Sequence, residues 1–177
     1  MTAVEIQTER LILRSQRPED FDPWAEMAAD EQTMRFMGGV QPRASAWRGF
    51  CTVAGAWEMF GVSMFSVIEK ASGRWIGRLG PWRPEGWPGN EVGWGLVREV
   101  WGRGYATEGA SAAMEYAFTT LGWTDVIHCI DEANILSQAV ARRLGSRHLR
   151  KGVLPAPYGD EVNIWGQSRE EWLRRSR

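Results

Sequence analysis

Between residues 91 and 121 the chain runs from a strand-like stretch, Glu91 to Val97, into a helix-like stretch ending near Leu121. The link is Trp101-Gly102-Arg103-Gly104-Tyr105-Ala106-Thr107-Glu108. A turn that opens a helix leaves several main-chain N–H groups with no internal partner, at the positive end of the helix dipole. Gly102 and Gly104 lack Cβ atoms, so they adopt backbone angles closed to other residues and let a ligand approach. Phosphate oxygens suit such a place. No Gly-Lys-Ser/Thr follows, so the segment is not a P-loop. Ala106-Thr107 stands where a dinucleotide fingerprint would place its second half. By itself the turn is equally well read as an ordinary helix entrance.

A chain of 177 residues fits one domain over 1–177, with a core from about 9 to 166 and a polar tail over 167–177. Net charge is −1, which speaks against nucleic acid as the main partner. The two cysteines and two histidines show no metal-ligand spacing. His128 and Cys129 are neighbours in a strand and point to opposite faces, so no metal is expected. No apolar run reaches the length of a membrane span, and the default setting is cytoplasmic. Of the eleven tryptophans, Trp75, Trp82, Trp87, Trp94 and Trp101 fall where a pocket wall would lie.

Arg10 to Arg14 alternates as a half-buried strand, and Pro18 to Asp20 begins a helix. A second helix covers Ala44 to Met59, bounded by Pro42 and Gly61. Val62 to Glu69 and Trp75 to Leu79 form a hairpin about Lys70 to Gly73. Pro81 to Asn90, with three prolines and two glycines, reads as a loop. The helix after the glycine turn carries Ala106, Ala110, Ala113, Ala117 and Leu121 as a small-residue stripe, suited to close packing on a sheet. Asp125 to Ile130 is a buried type of strand. A helix begins at Asn134 and stops at Gly145. Strands over Arg147 to Val153 and Glu161 to Gly166 precede a short polar helix capped by Ser168 with Glu171. The fold class is mixed α/β around one sheet.

Taken in order, Thr8-Glu-Arg-Leu-Ile-Leu-Arg14, Glu91-Val-Gly-Trp-Gly-Leu96, Trp101 to Glu108, and Asn134-x-x-Ser137 with Leu144-Gly145 resemble the GNAT superfamily of N-acetyltransferases. The chain looks most like the branch that acetylates ribosomal-protein N-termini. The resemblance spans Glu9 to Trp165. It implies the GNAT acyl-CoA N-acyltransferase fold, a central, mostly antiparallel twisted sheet with splayed middle strands, flanked by helices. It also implies acetyl-CoA as cosubstrate and a primary amine, on a small molecule or a protein N-terminus, as acceptor. Monomer and homodimer are both open. The pantetheine arm is expected beside Leu96 and Val97, where a main-chain N–H would polarise the thioester carbonyl. The pyrophosphate is expected on the amides of about Gly102, Arg103, Gly104, Tyr105, Ala106 and Thr107. The Tyr105 side chain reads as packing. The Arg103 side chain either meets a phosphate or is a solvated turn residue. Asn134 is placed to bind the pantetheine arm, to cap its helix, or to do both.

Glu91 matches a strand glutamate that serves as general base in several family members; the alternative is an edge charge or salt bridge. Asp131 and Glu132 are backup bases. Ser137 matches a serine that meets the departing sulfur, but equally suits a first-turn cap. Two departures stand out: Trp101 where Gln or Arg is usual, and Ser146 where an aromatic is usual. The competing readings are an acyl-CoA sensor without turnover, and a nucleotide-phosphate binder unrelated to acyl transfer.

Overall fold

The structure is a computed structural model and describes residues 4–175. Eight strands form one sheet in the order β1-β2-β3-β4-β5-β6-β8-β7. They are β1 (Glu5–Gln7), β2 (Leu11–Arg14), β3 (Phe65–Glu69), β4 (Trp75–Trp82), β5 (Glu91–Leu96), β6 (Asp125–Ile130), β7 (Arg147–Val153) and β8 (Glu161–Ser168). The helices are α1 (Phe21–Ala29), α2 (Glu31–Met34), α3 (Arg43–Phe60), α4 (Tyr105–Thr119), α5 (Ile135–Leu144) and α6 (Arg169–Arg175). Every strand pairing is antiparallel except β5 with β6, which run parallel and share one register pair, Glu91 with Ile127. Beyond that pair the two strands part, as the resemblance implies. Among the described residues no helix is long and apolar enough to cross a membrane.

Two apolar layers hold the sheet. On one face α4 covers Leu11, Leu13, Phe65, Val67, Leu79 and Val92. Its stripe lets it sit close: Ala110, Ala113 and Ala117 are fully buried. A Cβ on Gly109 would come within 2.5 Å of Leu79 Cδ2. On the other face α1 and α3 bring Trp24, Ala25, Phe50 and Val53 against Met64, Ile68 and Trp75.

Several element boundaries move. A short strand, β1, precedes the first expected one, and the helix after Pro18 begins as a 3₁₀ turn. β3 starts at Phe65 rather than Val62, and the short α2 was not expected. β4 runs on to Trp82 through Pro81, within the stretch expected to be a loop. Proline is tolerated there because the β3 partner ends at Leu79, so no ladder bond is lost. At the tail the expected capping box forms: Ser168 N–H donates to Glu171 Oε2 (2.8 Å), and Glu171 N–H donates to Ser168 Oγ (3.2 Å).

Candidate active site

Where β5 and β6 part, a cleft of about 810 Å³ passes through the sheet; Glu91, Trp87, Trp94, Ser137 and Asn134 all line it. Successive strand residues face opposite ways. Glu91, Gly93 and Gly95 therefore look toward the α1/α3 face, whereas Val92, Trp94 and Leu96 look toward α4 and α5.

Glu91 is buried at the apex of the split. Its Oε1 accepts the Cys129 N–H (3.0 Å) and its Oε2 accepts the Trp87 indole N–H (2.5 Å). Burial pushes its carboxyl up to about 7, against the opposing pull of those donors and of the Arg78 charge. No ion pair to Glu91 exists among the described residues, so the edge-salt-bridge reading fails on geometry. Asp131 also lines the cleft but caps the Ala133 N–H. Glu132 faces Lys151 on the surface.

On the opposite face, the Trp94 indole N–H donates to Ser137 Oγ (3.2 Å), and Asn134 Oδ1 accepts the Ser137 N–H (3.1 Å). Asn134 is thus the N-cap of α5 and also lines the cleft. Trp94 packs against the His128 ring in a tilted arrangement, with centroids 4.9 Å apart. His128 is fully enclosed between Val92 O (2.7 Å) and Ser146 Oγ (2.9 Å), and Gln167 Nε2 donates to the same Ser146 oxygen. Burial lowers the His128 pKa to about 4, so its ring is neutral. Ser146, which departs from the family's usual aromatic, is the hinge of this buried polar chain.

Ladder geometry separates Leu96 from Val97. The Val97 N–H donates to Ile76 O (2.9 Å) and so faces β4. In an antiparallel ladder the next residue turns its main chain the other way, which aims the Leu96 N–H into the split. Val97 is therefore removed as the polarising donor. The Leu96 carbonyl is occupied by the Trp101 indole N–H (2.8 Å).

At the glycine turn, Gly102 (φ 75°) and Gly104 (φ 81°) both take left-handed angles, and α4 begins at Tyr105. Among the described residues, no protein acceptor meets the main-chain N–H groups of Gly102, Arg103, Gly104, Tyr105, Ala106 or Thr107. The Arg103 side chain is exposed. The Tyr105 side chain is turned away, donating to Glu69 Oε1 (2.7 Å) with Arg10 over its ring at 4.4 Å.

Four residues have contacts at the site that the sequence reading did not assign. Glu108 ties the first motif to the turn, accepting from Thr8 Oγ1 (2.6 Å), Arg10 N (2.8 Å) and Arg10 Nε (2.6 Å), while Arg10 Nη1 donates to Arg103 O. Thr8 and Arg10 lie about a hundred positions from Glu108, and only their co-occurrence in the motif set hinted at this. Trp87, inside the expected loop, holds Glu91. Trp101 caps Leu96. Arg78, in β4, carried no periodic or spacing signal. Among the described residues no cluster of ligating side chains could hold a metal ion.

Comparison with known proteins agrees with the fold. A structure described as the acetyltransferase from Agrobacterium tumefaciens superposes with a TM-score of 0.84 at 28% identity, covering 96% of each chain. Mycobacterium smegmatis RimJ in complex with CoA-disulfide shares the fold (TM-score 0.73, 16% identity, 96% of this chain and 88% of that one). Among curated relatives, the FsC-acetyl coenzyme A-N(2)-transacetylase of Aspergillus fumigatus is 37% identical over 89 residues, which is 48% of this chain and 38% of that protein. The matched stretches cover 56% and 38% of the lengths of the first two curated relatives. Residues 10–147 match the acetyltransferase (GNAT) domain model, well over half of the sequence; the chain belongs to that family.

Proposed function

We propose that this acetyltransferase moves the acetyl group of acetyl-CoA to a primary amine by direct attack in a ternary complex. The supporting observation is that Glu91 and Ser137 line one cleft from opposite faces of the sheet, with the turn of unpaired amides at the N-terminus of α4. The residues fit the cosubstrate. The amides of Gly102 to Thr107 have no competing protein acceptors and would take the pyrophosphate. The Asn134 NH₂ group would meet the pantetheine arm, and the Leu96 N–H would stabilise charge on the thioester oxygen.

A lysine-like amine (pKa ~10.4) is charged at pH 7, and its deprotonation costs about 4.6 kcal/mol at 1.36 kcal/mol per pH unit. A base works best when its pKa lies near the working pH, and Glu91, held at about 7, meets that condition. Glu91 accepts the amine proton, directly or through one water, as the nitrogen attacks the carbonyl carbon. Collapse expels the thiolate. Ser137 Oγ already accepts from Trp94, so its own hydrogen is left to donate to the sulfur. Cys129 is a poor alternative nucleophile, since burial and the adjacent Glu91 push its thiol well above the usual range.

The test is release of free CoA thiol from acetyl-CoA with a panel of amines: amino acids, polyamines and N-terminal peptides. Turnover with at least one is expected. Tight acetyl-CoA binding without CoA release from any amine would make the chain a sensor. ATP or NAD binding more tightly than acetyl-CoA would refute the acyl-CoA reading.

A further inference from the structure

Arg78 projects from β4 onto the α1/α3 face of the sheet and into the same cleft as Glu91. Its Cα partner in β5 is Gly95, and Glu91 lies further along that strand on the same face, with Gly93 between them. The β5 positions Gly93 and Gly95, between Glu91 and the partner of Arg78, therefore carry no side chains of their own.

Among the described residues the guanidinium has no carboxylate partner. Its plane lies over the Trp24 ring at 4.9 Å, Nη1 reaches only the Met64 sulfur at 3.1 Å, and the buried Nε has no hydrogen-bond partner among the described residues. An arginine sunk against apolar surface is ordinarily paired. Burial works against its charge, and Glu91 in the same cleft favours it without forming an ion pair among the described residues. Its planar donors are suited to a carboxylate. Trp82, Trp87 and Tyr158 wall the same space.

We propose that the acceptor is an amine bearing its own carboxylate, such as a free amino acid, bound with the carboxylate on Arg78 and the amino group toward Glu91. This rests on the acetyltransferase reading above and deepens it. A protein N-terminus carries an amide where a free amino acid carries this carboxylate, so it leaves Arg78 unanswered. Met64 Cε lies over Gly93 and Met37 Sδ over Gly95, so an acceptor reaching from Arg78 to Glu91 would run along these thioether side chains. A Cβ on Gly93 would stand 3.0 Å from Met64 Cε and 3.5 Å from Glu91 Oε1, and one on Gly95 would stand 2.7 Å from Met37 Sδ.

The test compares amino acids with their primary amides as acceptors, following CoA release. The amide is the easier amine to deprotonate, so chemistry alone favours it. The expected result is a kcat/KM higher for the acid by about tenfold or more, the scale of one charge-assisted hydrogen-bonded pair. In Arg78→Met that preference vanishes through a raised KM for the acid, with amide turnover and acetyl-CoA affinity kept; Arg78→Lys keeps part of it. An amide used as well as its acid, or an Arg78→Met variant that loses both alike, overturns the proposal. Should Arg78→Met not fold, the wild-type comparison of acid with amide decides alone. If CoA is released from no amine at all, the acetyltransferase reading of this chain fails instead. Calorimetric titration of amino acid and amide into the CoA complex then reads Arg78 directly: tighter binding of the acid supports the carboxylate site, and equal binding refutes it.

Discussion

Replacing Glu91 by Gln removes the carboxyl at the apex of the strand split while keeping its shape. The carboxyl is held at about 7 against an ordinary 4.5, so ionising it inside the fold costs on the order of 3 kcal/mol at 1.36 kcal/mol per pH unit. With an amine of pKa ~10.4, whose own titration lies above the measured range, log kcat/KM should rise between pH 5.5 and 8.5 in two regimes. Below about 7 both the amine and Glu91 must lose a proton, so the slope is two; above about 7 the slope is one. Glu91→Gln should show slope one throughout and a rate lower by ~10² to 10⁴ at pH 8, the usual worth of a positioned base. The same titration predicts stability with the opposite sense. The folded state holds the proton more tightly than the unfolded chain, so this contribution is complete below about 4.5 and lost as pH rises to about 7. Chemical denaturation at pH 5 and pH 8 should show that loss in the wild type and not in Glu91→Gln. A variant that keeps the change of slope near pH 7, or runs within threefold of wild type, would refute Glu91 as the base.

Ser137→Ala should lower kcat ~10-fold or more while acetyl-CoA affinity, read by calorimetry, changes less than about threefold; loss of affinity with kcat unchanged would make Ser137 a cap alone. Gly104→Ala forces a left-handed angle on a residue with a Cβ, at about 1–2 kcal/mol, and should weaken acetyl-CoA binding along with the melting temperature; unchanged affinity would argue against the turn as the pyrophosphate site. For His128 the sign reverses relative to Glu91: its folded pKa of about 4 lies below the ordinary 6.5. Its contribution is present above 6.5 and lost as pH falls toward 4, on the order of 3 kcal/mol in all. His128→Asn should flatten that part of the acid limb of stability, measured by denaturation between pH 7 and 4.5.

The helix stripe of Ala110, Ala113 and Ala117, the glycine stops at Gly61 and Gly145, and the capping box at Ser168 were legible because each acts within a few residues of itself. The glycine turn was legible for the same reason, since unpaired amides at a helix start need no distant partner to explain them. The boundary errors fall where a neighbouring strand decides. Pro81 extends β4 because β3 has already ended, and no local propensity carries that information.

What the chain determines by itself is therefore the element sequence and the anion-suited turn: periodicity, caps and glycine angles are properties of short range. Tertiary structure alone decided which of Leu96 and Val97 turns its N–H into the split, since that depends on ladder parity against Ile76. It also decided that Glu91 is buried beside Trp87 and Cys129, that Glu108 binds Thr8 and Arg10 to the turn, and that Arg78 enters the cleft with no hydrogen-bond partner for its Nε among the described residues. Burial and long-range pairing set these charges and hydrogen bonds, and neither exists until distant segments of the chain are packed together.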